Sequence, residues 1–239
     1  MFLIRKPTKI TAYTHDKSVL TNTPVTIGVE EKPGWLKKLK TSVSAFDPTI
    51  GMEVHAPTAR SCPAIRDFIS EPIQLKMWGD LDISVFPDGR WTQYTRPGFD
   101  ITAGEHSKMQ FGEAYNNRLA LKLDSPWFFV ANDNTKFMFM EAHYSTSYFR
   151  DNNIIFPPGI IEYKLQHSTN VHMSIPFPKE QVIINLKLGM PLVSMFPLTD
   201  RIVELETKLL PVDEWRAINS HLPKTFIGRY FKLKGNKNL

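Results

Sequence analysis

A chain of 239 residues with 42 % hydrophobic and 22 % charged residues has enough apolar material for a sizeable core and lacks the bias of a disordered or fibrous protein. Its net charge is +5, and the excess is local: Lys224, Arg229, Lys232, Lys234 and Lys237 lie in a final stretch without Asp or Glu, while residues 1–223 are charge-balanced. No run approaches the roughly 20 apolar residues of a membrane helix. The single cysteine, Cys62, excludes an intrachain disulfide and a multi-cysteine metal site.

The opening Met1-Phe2-Leu3-Ile4 is cut by Arg5, Lys6 and Pro7, too soon for a signal-peptide core. Residues 8–14 and 24–29 are β-branched and alternating, which predicts two opening strands. Lys32 to Lys40, with Pro33, Gly34, Trp35 and a Leu-Lys-Lys-Leu run, reads as a loop and one helical turn with a basic face. Cys62 to Ile69 predicts a short helix, with Pro63 in its first turn and Ile65, Phe68 and Ile69 on one face.

A dense β region follows. Leu81, Ile83 and Val85 alternate up to Asp88-Gly89, a hairpin turn leading into Arg90 to Tyr94. Residues 118–123, 127–130 and 135–144 read as strands, with Asn132-Asp133-Asn134 as a second hairpin turn. Further strands are expected over 160–165, 171–177, 181–188, 192–196 and 201–207, with Gly189-Met190-Pro191 as a turn. A last helix is marked by Val212, Trp215, Ile218 and Leu222 on one face and by Asp213 and Glu214 in its first turn. Ten to thirteen short strands without long intervening helices predict a mainly β protein: an antiparallel β-sandwich or jelly roll with a few short helices. The expected organisation is one β-rich domain over residues 1–223 and a basic tail over 224–239.

Phosphate loops, nucleophile elbows and His-Glu-x-x-His helices are missing from the sequence. Cys62, just ahead of a helix, has no base beside it in sequence and reads as a packed thiol. On a strand from Thr135 to Tyr144, Glu141 and His143 would project from one face as an acid–base pair or two metal ligands. His172, or His167 in its place, is the nearest third group. The segment Pro157-Pro158-Gly159 followed by His167 and Asn170 loosely resembles the second motif of cupins, the metal-binding jelly rolls. Its spacing departs from that motif, and a His-x-His pair is absent. No cofactor is therefore expected, with a divalent metal on Glu141, His143 and His172 as the alternative. The abundant aromatics, Trp91 and Tyr94 among them, suit a core or an assembly interface.

The order of segments does carry a resemblance. Cys62-Pro63-x-Ile65-x-Asp67 precedes Ile73 to Leu81, then come Ser125-Pro126-Trp127-Phe128-Phe129, Phe156-Pro157-Pro158-Gly159-Ile160-Ile161, Gly189-x-Pro191-Leu192-Val193 and Phe196-Pro197-Leu198-Thr199-Asp200-Arg201. Over about residues 55–239 this resembles a family of uncharacterised proteins encoded mainly by tailed bacteriophages, especially marine ones, and similar to bacterial proteins of unknown function. The shared motifs are turn and packing motifs, so no catalytic residue carries over. The resemblance implies a phage origin. With that origin, the β-rich build, the missing catalytic motifs and the basic tail lead to the expectation of a non-enzymatic binding or assembly protein, a virion component or host-interaction factor located in the virion or the host cytoplasm. The alternative class is a cupin-like metal enzyme or small-molecule binder centred on Glu141 and His143. Expected partners are a protein or a second copy of the chain; the basic tail is a route to nucleic acid, and no membrane partner is expected.

Overall fold

The computed structural model describes residues 6–29, 33–98, 101–106, 116–164 and 168–220. The strands are β1 (Thr8–Thr14), β2 (Thr26–Ile27), β3 (Ser42–Asp47), β4 (Met52–Pro57), β5 (Ile73–Lys76), β6 (Leu81–Val85), β7 (Trp91–Thr95) and β8 (Ala103–Glu105). They continue as β9 (Arg118–Ala131), β10 (Lys136–Glu141), β11 (Gly159–Glu162), β12 (Ser168–Pro176), β13 (Val182–Leu186), β14 (Pro191–Pro197) and β15 (Val203–Leu209). The helices are short: α1 (Lys17–Asn22), α2 (Gly34–Lys38), α3 (Pro63–Ser70), α4 (Tyr148–Asp151) and α5 (Val212–Ser220).

The mainly β, antiparallel sandwich-like architecture expected from the alternation is what the chain adopts. One five-stranded sheet runs β12-β9-β1-β15, with β8 also on β9; a second runs β11-β10-β14-β5-β2; a three-stranded sheet runs β13-β6-β7. One pair departs from the antiparallel rule: β15 lies parallel to β1, from Thr8 opposite Val203 to Thr14 opposite Leu209. Alternation explains what faces inward. Leu119, Leu121 and Leu123 of β9, Val171, Met173 and Ile175 of β12, Ile73 and Leu75 of β5, and Leu81, Ile83 and Val85 of β6 all join one buried apolar cluster. Among the largest buried side chains, Phe129 of β9 and Phe137 of β10 both pack on Tyr163, which joins the first two sheets there, and Trp127 is fully buried as well.

Several expectations shift. Residues 118–123 and 127–130 form one continuous strand, β9, with Pro126 inside it. Asn132-Asp133-Asn134 is not a hairpin turn, because β9 and β10 belong to different sheets and the chain crosses between them. The polar side chains build that corner. Asn132 accepts from the Lys9 amide at 2.9 Å, and Asp133 accepts from Thr8 Oγ1 at 2.9 Å and the Thr135 amide at 2.8 Å, and pairs with Arg201 at 2.9 Å. Those bonds hold the Asp133 carboxyl below the usual range against the opposing pull of burial. The Asp88-Gly89 turn does join β6 to β7, with Gly89 at φ +83°.

Candidate functional site

Glu141 is the last residue of β10, opposite Val193 of β14. The strand does not continue to Tyr144: the His143 amide donates to the Glu141 carbonyl at 2.7 Å, and the Ser145 amide to the Ala142 carbonyl. Glu141 and His143 therefore do not project side by side from a strand, because the chain turns between them. Arg150, at the end of α4, donates to the His143 carbonyl and clamps this turn. Tyr144 is held from the other side by Trp35 of α2, whose Nε1 donates to the Tyr144 carbonyl at 3.1 Å, and by an edge contact with Phe68 of α3.

Glu141 carries an unsatisfied polar atom in this region. Its Oε1 is buried without a hydrogen-bond partner. Burial raises its pKa, and the nearby charges of His143 and Arg150 oppose the rise. This is an arrangement able to hold a proton, but it lacks neighbouring ligands. Among the described residues no group of three or more His, Cys, Asp or Glu side chains is placed to hold a metal ion.

His172 lies in the other large sheet, on β12 opposite Lys122 of β9. It stacks on His106 with ring centroids 4.8 Å apart and planes 23° from parallel. The His106 amide donates to the Ala120 carbonyl of β9 at 2.9 Å. Burial first, then His106 and Lys122, push His172 down to about 4, with Asp124 pulling the other way. Two nearly parallel imidazoles are poorly aimed at a shared ion, since each ring directs its nitrogen lone pairs within its own plane. Cys62 stands at the start of α3, half-buried and free, without capping the helix through its side chain. The basic tail residues Lys224, Arg229, Lys232, Lys234 and Lys237, and His167, lie outside the described residues.

The feature that sequence reading missed is β3–β4. These strands pair only with each other among the described residues, as a separate two-stranded sheet. The turn is written in Asp47-Pro48-Thr49-Ile50-Gly51: Asp47 Oδ1 accepts from the Thr49 amide at 2.8 Å, its carbonyl accepts from the Gly51 amide at 2.9 Å, and Gly51 takes φ +67°. Register places Val43 opposite Ala56 and Ala45 opposite Val54, so these four and Met52 make one largely apolar face, with Asp47 opposite Met52 at its tip; Ser42, Ser44, Phe46, Glu53, His55 and Pro57 make the other. Much of that face is exposed, with Val54 and Ala56 half-buried. Met52 is 64 % exposed and Val43 45 %, with Phe46 (65 %) and Ile50 (58 %) at the tip.

The base of the hairpin is fixed. Thr58 donates through its amide and its hydroxyl to the carbonyls of Thr41 and Lys40, Ser61 Oγ donates to the Thr41 carbonyl, and Arg60 donates to the Leu39 carbonyl at 2.8 Å and the Lys37 carbonyl at 3.3 Å. A hydrogen-bonded base thus carries an arm whose apolar side chains lie outside the main buried cluster.

No protein-family model matches the chain, and no curated protein matches it either. No helix of the described residues is long and apolar enough to cross a membrane.

Proposed function

We propose that this chain is a phage-encoded, non-enzymatic β-sandwich that works by binding another protein, as a virion component or a host-interaction factor. The observation that supports this reading is the separate β3–β4 hairpin, on whose apolar face Val43, Ala45 and Met52 are exposed and Val54 and Ala56 half-buried. An isolated two-stranded hairpin is at best marginally stable in water, and exposed apolar patches on proteins mark interaction sites. Clamping this hairpin at its base while leaving its apolar face open suits an element that a partner covers. The segment resemblance supplies the phage origin.

The test is mass spectrometry of purified particles and of proteins recovered with the tagged chain from infected cells. The same measurement is made on a variant with Val43, Met52 and Val54 changed to Ser. The wild-type chain should be found in particles or with one defined host protein, and the variant should be lost from both. Presence of neither association would contradict the proposal.

A second reading has one observation in its favour, the unpartnered buried oxygen of Glu141 beside His143. It makes the chain a metal-dependent enzyme or small-molecule binder. Elemental analysis of the purified chain and of His143→Ala tests it: a stoichiometric divalent metal lost in the variant would favour this reading, and absence of metal from the wild type would count against a metal site.

A further inference from the structure

Resting on the docking role of the hairpin, we propose that the free edge of β3 pairs antiparallel with β3 of a second copy of this chain. The result is a four-stranded sheet across a two-fold axis.

The backbone pattern identifies which edge is open. Thr41 and Thr58 face each other, and the Thr58 amide donates to the Thr41 carbonyl. In an antiparallel pair, bonded and non-bonded pairs alternate. Val43–Ala56, Ala45–Val54 and Asp47–Met52 are therefore the bonded pairs inside the hairpin. The backbone N–H and C=O groups of Ser42, Ser44 and Phe46 consequently point away from β4, along a free edge. On β4 the outward positions are Glu53, His55 and Pro57, and Pro57 has no N–H to offer.

Natural sheets protect their edges with charge, proline, bulges or covering groups. Three of the other outer strands follow that rule. β15 carries Glu204, Glu206 and Lys208. On β13 the Asn185 amide is taken by the Tyr148 hydroxyl at 2.8 Å. On β12, Ser174 bridges to Ile155 and its carbonyl also accepts from Arg118. β3 has none of these defences from Ser42 to Phe46: no charge, no proline and no bulge.

The occupant that fits this edge best is β3 itself. A two-fold axis through Ser44 sets Ser44 opposite Ser44 of the second copy and Ser42 opposite its Phe46, so every outward-pointing position meets another outward-pointing position. The face is preserved as well. Val43 of each copy comes beside Ala45 of the other, which doubles the apolar face on one side of the new sheet. Charge agrees: the same register brings Asp47 at the tip of each hairpin alongside Thr41 and Lys40 at the base of the other. The strand itself carries no other charge, so no like charges are opposed. An isologous contact of this kind closes at two copies. A lipid surface is disfavoured as an occupant, because Asp47 and Glu53 at the tip would have to enter it.

The test is sedimentation velocity of the full chain from micromolar to near-millimolar concentration, with three variants. Wild type should form a concentration-dependent dimer. Ser44→Pro removes an outward amide and the side-chain contact of Ser44 Oγ with His55 Nδ1 (3.1 Å), leaves the backbone bonds inside the hairpin in place, and should leave a monomer at all concentrations. Lys40→Glu should weaken the dimer by about tenfold, and adding Asp47→Asn, which keeps the turn acceptor for the Thr49 amide, should recover most of that loss. Ser44→Cys in a Cys62→Ala background should give a reducible covalent dimer under mild oxidation, because residues facing across an antiparallel pair are within disulfide reach. A wild-type monomer throughout, or a dimer indifferent to Ser44→Pro, would overturn the two-fold pairing. If the wild type is monomeric but loses a different protein partner in the Val43, Met52 and Val54 variant, second-copy pairing is wrong and the docking role of the hairpin stands.

Discussion

His172 shows how one side chain changes its meaning when its neighbours are known. In sequence it is a possible third ligand for Glu141 and His143. In the fold it faces Lys122, stacks on His106 and is kept neutral, with a pKa near 4 against a usual 6.5. For a histidine whose folded pKa is depressed, the unfolded chain gains a proton before the native one does. Stability is thus full above the unfolded value near 6.5 and falls as pH drops from there toward 4. A shift of that size corresponds to roughly 3 kcal/mol at the lower end of the window. Urea unfolding of wild type and His172→Gln at pH 7.5 and pH 4.5 measures it: the wild type should lose more stability between the two than the variant. Glu141 carries the opposite sign. Its raised pKa means the fold favours the protonated acid, so the ionised form costs stability as pH rises above the usual carboxylate value. Glu141→Gln should leave stability at pH 7 unchanged or raise it by about 1 kcal/mol. A loss of more than that would show that the carboxylate has a partner. Tyr163 is fully buried, its hydroxyl 2.7 Å from both Thr169 Oγ1 and Met195 Sδ. Tyr163→Phe should cost about 1–2 kcal/mol in chemical denaturation by stranding the Thr169 hydroxyl. Side-by-side projection of Glu141 and His143 was a sound inference from period two, but it needs the strand to continue. Period counting cannot see that Arg150 and Tyr144 fold the chain over instead.

Among the elements, strands with one wet face are the most legible, because alternation is imposed by burial on one side only. Residues 81–85 and 182–186 are examples: both alternate, and both lie in the three-stranded sheet. Helix α3 is equally readable from Pro63 and the apolar face that includes Ile69. α1 was missed, although Asp16 caps it by accepting from the amides of Ser18 and Val19; a helix this short has too few residues to show a period. The hairpin β3–β4 also escaped, because its apolar face does not join the core. Its legible mark was Asp47-Pro48-Thr49-Ile50-Gly51 between two alternating runs. Gly159 explains part of the Phe156-Pro157-Pro158-Gly159 motif. It lies opposite Phe139 across β10–β11, and a Cβ there would stand 2.5 Å from the Phe139 ring. Gly159→Val should therefore lower stability by roughly 1–3 kcal/mol, and Gly159→Val with Phe139→Ala should lose less than the two single changes summed. Simple additivity would mean that the ring contact does not explain the glycine.

At the scale of the molecule, composition and strand count lead to a β-sandwich, but the partition of strands among sheets is not written in local pattern. Asn132-Asp133-Asn134 has the composition of a hairpin turn, yet it carries the chain from one sheet to the other, because Asp133 is bound by Thr8, Thr135 and Arg201 from three separate segments. The parallel pairing of β15 on β1 joins strands near the two ends of the described chain, a long-range choice that no window of sequence reveals. Within this frame the large sheets are committed to the core, and the hairpin is the element left over for contact with another molecule. The most direct measurement is site-specific photo-cross-linking in the producing cell, with the photoreactive residue placed at Val43 and, as a control, at the exposed Thr92 of β7. Position 43 should give a discrete protein adduct and position 92 none, with an adduct at twice the chain mass identifying a second copy. Absence of any adduct from position 43, or equal diffuse labelling from both positions, would contradict the docking role of the hairpin.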